Sequence, residues 1–187
     1  MERGIYGSLA IKRGGKVLEL ASGDGFNTKN FYSGIAQSVT ACDFDKKAIA
    51  LAKRKNHSPN VSFVLADIRY AMPAGSFDNV VWDAAIAHFT PDEIKLIMGN
   101  IKGNLKEKNG ILSGYTIVER PEGKSLEHHE YEFKGMEDLK RFLTPWFKNV
   151  IVFETIFPSR HNLYFWASDS TLPFSNDWKH WLKSSDA

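Results

Sequence analysis

Two groups of residues carry types and spacings that suit chemistry. The first is the turn Ser22-Gly23-Asp24-Gly25, which closes the apolar run VLELA at positions 17–21. Glycine has no Cβ, so a ligand can come up against the backbone there. A turn that opens a helix also offers N–H groups and a partial positive charge, which suit a phosphate or carboxylate. Asp43 stands eighteen residues after Gly25, directly behind the apolar run at 39–42. A carboxylate in that place accepts two hydroxyl hydrogen bonds at once and suits a ribose diol. The second group is basic and spread over three segments: His88 in DAAIAHFTPDE, His128 and His129 in SLEHHEYEF, and Arg160-His161. A positioned imidazole is the common general base, worth about 10²–10⁴ in rate. An arginine binds an acidic group as a two-pronged fork.

The elements needed to position these residues can be read from periodicity. Positions 17–21, 39–42, 61–65, 77–82 and 111–118 are apolar runs of strand length. Between them lie helical patterns: 28–37 with Asn27 or Thr28 as N-cap, 45–54 with Ala48, Ile49, Leu51 and Ala52 inward, and 91–106 with Ile94, Ile97, Met98, Ile101 and Leu105 in one stripe. Strands alternating with helices predict a parallel sheet covered on both faces. A short helix is expected at 136–142, stopped by Pro145. The strands 150–157 and 162–167 are joined by only Pro158–His161, so they must be antiparallel neighbours. In the tail, 169–187, Trp178, Trp181 and Leu182 form one face of a short helix, expected to pack back on the domain.

The turn is not that of a dinucleotide site. Its spacing is Ala21-x-Gly23-x-Gly25, with Thr28 where a third glycine would stand, and Glu19 lies inside the strand before it. The stretches VLELASGDG (17–25), ACDFD (41–45), VSFVLADI (61–68) and FDNVVWDAAIAHF (77–89) resemble the class I S-adenosylmethionine-dependent methyltransferase family. The resemblance runs from Val17 to about Ala167. It implies a Rossmann-like α/β fold: a mostly parallel seven-stranded sheet with one antiparallel strand and helices on both faces. It also implies S-adenosyl-L-methionine as cofactor. Glu19, Ala21, Ser22, Gly23 and Gly25 would surround its methionine end. Asp43 would bind the ribose, with Phe44 and Asp45 beside the adenosine. Asp67 would accept the adenine amino group, with Ile68 near the ring, and Asp83 would lie near the transferred methyl. One departure is Ala21, where the family most often has glycine; one extra methyl group is expected to be tolerated.

The acceptor half is less specific. His88, His128 and His129 are the candidate bases, although adjacent side chains on an extended segment point opposite ways, so one of the pair 128–129 is expected to face the site. Arg160 and His161, in the hairpin turn at the same end of the sheet, are candidate acceptor-binding residues. His88, His128, His129 and Glu130 are also possible metal ligands. The family's catechol-type metal set needs an Asp-Asn pair after the fifth strand, where Val118-Glu119-Arg120 stands, so no metal is expected. An Asn-Pro-Pro-Tyr tetrad after the fourth strand is missing as well, which argues against nucleic-acid exocyclic amines and protein glutamine as acceptors. Only sixteen residues precede the first strand, where the family often has a helical cover over the acceptor; the expectation is either an open site suited to a large or tethered acceptor, or an N-terminally shortened chain.

Composition agrees with one soluble domain spanning 1–187, with a short N-terminal segment (1–16) and the tail. The 187 residues are 43% hydrophobic and 25% charged, with a net charge of +2, so there is no electrostatic footprint for nucleic acid. The first sixteen residues lack a signal-peptide stretch and no run is long enough for a membrane span. The single cysteine, Cys42, rules out an internal disulfide framework. The expected protein is a cytoplasmic methyltransferase acting on a small-molecule or sugar acceptor, at oxygen because of its histidines. The alternative is a catalytically inactive, nucleoside-binding partner subunit.

Overall fold

The computed structural model describes residues 1–107, 109–121, 123–124 and 126–173. The expected tail helix with Trp178, Trp181 and Leu182 lies outside them. Seven strands form one sheet: β1 (Lys16–Leu20), β2 (Ser38–Asp43), β3 (Val61–Leu65), β4 (Asn79–Asp83), β5 (Ile111–Ile117), β6 (Asn149–Phe157) and β7 (Arg160–Ser168). Their order is β3-β2-β1-β4-β5-β7-β6. Every pairing among β1 to β5 is parallel, and β7 runs antiparallel to both β5 and β6. This is the mixed sheet expected from the sequence. The hairpin turn is tighter than expected, only Pro158-Ser159.

Side-chain alternation along the strands builds a core on each face. Leu18, Leu20, Val80 and Trp82 pack under α3 (Pro91–Asn104), through Ile94, Ile97, Met98 and Ile101, and under α4 (Met136–Leu143), through Leu139 and Leu143. Val17, Val39, Ala41 and Val81 point the other way, onto Tyr32, Phe63 and the Ile49 and Ala52 side of α2 (Lys46–Lys55). α3 begins with a reciprocal capping box: Thr90 Oγ1 accepts from Glu93 N–H, and Glu93 accepts from Thr90 N–H. The connection after β1 is shorter than the 28–37 helix expected; its regular part is one wide, π-type helical segment, Thr28–Tyr32.

A helix also precedes the sheet, contrary to expectation: α1 (Glu2–Leu9). Its sequence, ERGIYGSL, has two glycines, each about 1 kcal/mol poorer than alanine in a helix. Tertiary contact explains them. A Cβ on Gly4 would fall 2.3 Å from the Phe31 ring, and one on Gly7 would fall 2.8 Å from the Tyr32 hydroxyl. Trp166 Nε1–H donates to the Tyr6 carbonyl (3.1 Å), and the Tyr6 ring packs on Phe153 and Tyr164. α1 therefore lies against the sheet and brings Arg3 to the site.

Candidate active site

The strand order reverses between β1 and β4, and a crevice outside their carboxyl ends is where ligands bind in such sheets. A cavity of about 620 Å³ opens there. It is lined by Glu19, Ala21, Ser22 and Gly23 from β1 and its turn, Asp43 at the end of β2 and Phe44 after it, Asp67 and Ile68 after β3, Asp83 at the end of β4, and His88 and His128 beyond β4 and β5.

The turn is held by the acid behind it. Asp43 is 7% exposed; its Oδ2 accepts from Gly23 N–H (2.9 Å) and its Oδ1 from Asp45 N–H (2.8 Å). The Gly23 amide is thus bonded to Asp43. A carboxylate offers about four acceptor positions, so two remain for a ligand. Phe44, 74% exposed, stands at the rim. Asp45 does not line the cavity; it caps α2, accepting from Lys47 N–H (2.8 Å). Gly25 lies beneath the turn. Its φ of +75° and the Phe63 ring, 2.6 Å from where a Cβ would sit, both require glycine. Ala21 also departs from expectation: its φ is +53°, so what alanine brings is left-handed backbone strain more than bulk.

The cavity floor is acidic. Glu19 is 2% exposed, its Oε2 accepts from Thr28 Oγ1 (2.5 Å), and burial pushes its pKa up to about 8. Asp83 accepts from Asn27 Nδ2 at 2.9 Å, with the Arg3 guanidinium 3.8 Å away, yet burial still raises its pKa. Asp83 Oδ1 and Ser22 Oγ are buried and find no hydrogen-bond partner among the described residues. Two raised acids and two unsatisfied polar atoms form a cradle for a cationic, hydrogen-bonding ligand group. Near the base end, the Asp67 carboxylate is gripped by Arg69 (Nη2 at 2.7 Å), which also reaches Glu93 (Nη1 at 3.0 Å). That contact lowers the Asp67 pKa and keeps it an ionised acceptor.

Glu19 makes the chain pH-sensitive. Its folded pKa of about 8 lies above the ordinary 4.5. The stability tied to its protonated form is whole below about pH 4.5 and is lost as pH rises through about 8. Ligand-free wild type is expected to lose on the order of a few kcal/mol over that window from this group. Glu19→Gln should lack this part of the slope, as read by urea midpoints across pH. Matching slopes in the two proteins would remove Glu19 as the titrating group.

Beyond the acids, the three histidines come together. His88 and His128 stack (5.1 Å, 7°), and His129 meets both edge-on (4.8 and 5.4 Å). The 128–129 pair lies in a turn, not an extended segment, so both rings reach His88, which differs from the alternation expected. Glu130 and Tyr131 N–H both donate to the Ala87 carbonyl (2.8 and 3.2 Å), tying this turn to the segment carrying His88. His129 is 5% exposed, and its Nδ1 bonds the buried Glu132 carboxylate. Burial, followed by the neighbouring His129, lowers the His88 pKa. His129 lines a second cavity of about 260 Å³, shared with Arg3, His88 and Tyr115.

Arg160 and His161 line neither of these two cavities. Arg160 Nη2 faces Glu2 of α1 (3.4 Å), and His161 Nε2 pairs with Glu154 of β6 (2.7 Å). Their acid partners turn them away from the acceptor role expected. Arg3, Asn27 and Arg69 were missed as lining residues. Only the Asp67-x-Arg69 spacing carries a local signal; the other two reach the cavity through tertiary packing.

Residues 17–108 match a family model described as a methyltransferase domain. No curated protein matches the sequence significantly. Among solved structures, the chain is similar to the DhpI–SAH complex: 24% identity, 81% of this chain, 74% of that chain, TM-score 0.65. It is also similar to the N-methyltransferase NodS from Bradyrhizobium japonicum: 16% identity, 90% and 93% of the two chains, TM-score 0.72. A third is the 1,6-didemethyltoxoflavin-N1-methyltransferase of Burkholderia thailandensis with bound 1,6-didemethyltoxoflavin and S-adenosylhomocysteine: 20% identity, 85% and 72%, TM-score 0.69. At these identities the likeness is one of fold.

Proposed function

We propose that the chain is a class I S-adenosylmethionine-dependent methyltransferase and that it methylates a hydroxyl of a small molecule or sugar at the histidine cluster. The observation that carries this reading is that the cavity running from the Gly23 turn ends on His88 and His128, with His129 joined to them.

S-adenosylmethionine supplies an electrophilic methyl group on a sulfonium. Glu19 and Asp83 meet the cationic amino-acid end, and Ser22 Oγ adds an unsatisfied polar atom there. Asp43 takes the ribose hydroxyls on its two remaining acceptor positions. Asp67, kept ionised by Arg69, would accept from the adenine amino group, and Ile68 would lie near the ring. Holding donor and nucleophile in line supplies much of the rate in such displacements. A hydroxyl must also lose its proton, and the imidazoles stand where that happens. Burial disfavours a charge on His88, which leaves it neutral and able to accept. Arg3, which lines both cavities, would stand beside the acceptor.

His129→Ala and His88→Ala are expected to lower kcat on a hydroxyl acceptor by about 10²-fold or more, with S-adenosylhomocysteine affinity within a few-fold of wild type. An acceptor screen with the wild type comes first, read by S-adenosylhomocysteine release. Turnover undiminished in the double variant would remove the histidines from the reaction. Turnover confined to amine acceptors would remove the oxygen assignment.

A further inference from the structure

We propose that His88, His128 and His129 form a binding site for a divalent transition metal of the zinc class. Each imidazole offers one ring nitrogen, and the three nitrogens lie within 4.8 Å of one another. Four-coordinate zinc takes imidazole at about 2.0–2.1 Å, which puts its ligand nitrogens roughly 3.3 Å apart. His88 and His128 are exposed, and a change of their rotamers would have to close the difference.

His129 is the fixed member. With its Nδ1 taken up by the Glu132 carboxylate, Nε2 is the nitrogen left to face a metal. A carboxylate behind a histidine is how metal-ligating imidazoles are oriented and made more basic. The bonds from Glu130 and Tyr131 N–H to the Ala87 carbonyl hold the two donor segments in register. Three imidazoles, with no carboxylate or thiolate among the ligands, suit zinc, copper, nickel or iron over magnesium or calcium. Three protein ligands leave a fourth position for an oxygen donor. The catechol-type acidic set, absent from this sequence, has no part in it.

The catalytic meaning of the site rests on the methyltransferase reading. With the metal bound, the imidazoles would hold the ion instead of taking the proton; an acceptor hydroxyl in the fourth position would lose its proton to water more readily, its oxygen keeping the electron pair for attack on the methyl carbon. Binding of the metal does not depend on that reading.

The test uses the tag-free full chain, stripped with a chelator and titrated with Co²⁺ alone. The expected result is one Co²⁺ per chain, with the intense visible absorption of a four-coordinate site, displaced by Zn²⁺. His129→Ala and His128→Ala should abolish that absorption, and Glu132→Gln should weaken affinity by about 10–100-fold. His57→Ala, at an exposed histidine outside the cluster, should match wild type. No Co²⁺ bound by wild type, or equal binding by His129→Ala and wild type, would overturn the site. S-adenosylhomocysteine binding is measured in the same samples. It reports folding of each variant, and its absence in wild type counts against the methyltransferase reading, not against the metal.

Discussion

Asp43→Ala is expected to weaken S-adenosylmethionine and S-adenosylhomocysteine binding by about 100-fold or more. Each hydrogen bond to a charged acceptor contributes about 1.5–3 kcal/mol, and the ribose diol would lose two. The loss is compounded because the same carboxylate holds Gly23 and Asp45 N–H, so the turn loosens with it. Asp43→Asn keeps one carbonyl acceptor and should fall between Asp43→Ala and wild type. Calorimetric titration reads the affinity. In a thermal scan, ligand at about 100 times its dissociation constant stabilises wild type by about 2.7 kcal/mol, and the shift should vanish in Asp43→Ala. A folded Asp43→Ala with wild-type affinity would remove the ribose role and, with it, the assigned orientation of the cofactor.

Gly114→Ala is expected to cost about 3 kcal/mol or more, a large part of the stability of a domain this size. Gly114 pairs with Trp82 across β4 and β5. A Cβ there would sit 2.3 Å from the Trp82 carbonyl oxygen and 2.4 Å from the Phe165 ring. The ring can turn, but the carbonyl belongs to the neighbouring strand and yields only if the strands part. Those two strands carry Asp83 and Tyr115, which pair one step further on, so the acidic floor would shift as well. Urea unfolding measures the loss. An unchanged midpoint would show that the β4–β5 spacing tolerates a methyl group.

The sheet was largely legible because its signal is local. Fully buried strands such as Val17–Leu20 and Asn79–Trp82 read as apolar runs, and α3 read from its stripe and its Thr90 cap. What was not legible depended on distant partners. α1 hides behind Gly4 and Gly7, whose purpose is visible only against Phe31 and Tyr32. The same holds in the site. The residues of the Gly23 turn, Asp43, Asp67 and Asp83 follow strand ends, and strand ends are predictable. His128 and His129 sit in a turn that no periodicity describes. Arg160 and His161 reach the right end of the sheet but are claimed by Glu2 and Glu154, which sequence distance conceals. Glu132 gains a role at the site from its bond to His129.

Cys42 lies in the buried end of β2, one residue before Asp43, and burial raises its thiol pKa to about 12. Thiolate is the reactive form, so alkylating reagents find almost nothing to attack in the native state. Labelling then proceeds only through opening of the sheet, at a rate set by how often β2 separates from β1 and β3. The protein thus carries a built-in chemical clock for its own breathing, placed one residue from Asp43. A molecule that closes the cavity over Asp43 would slow that clock, which makes adduct mass a direct gauge of occupancy with no acceptor needed.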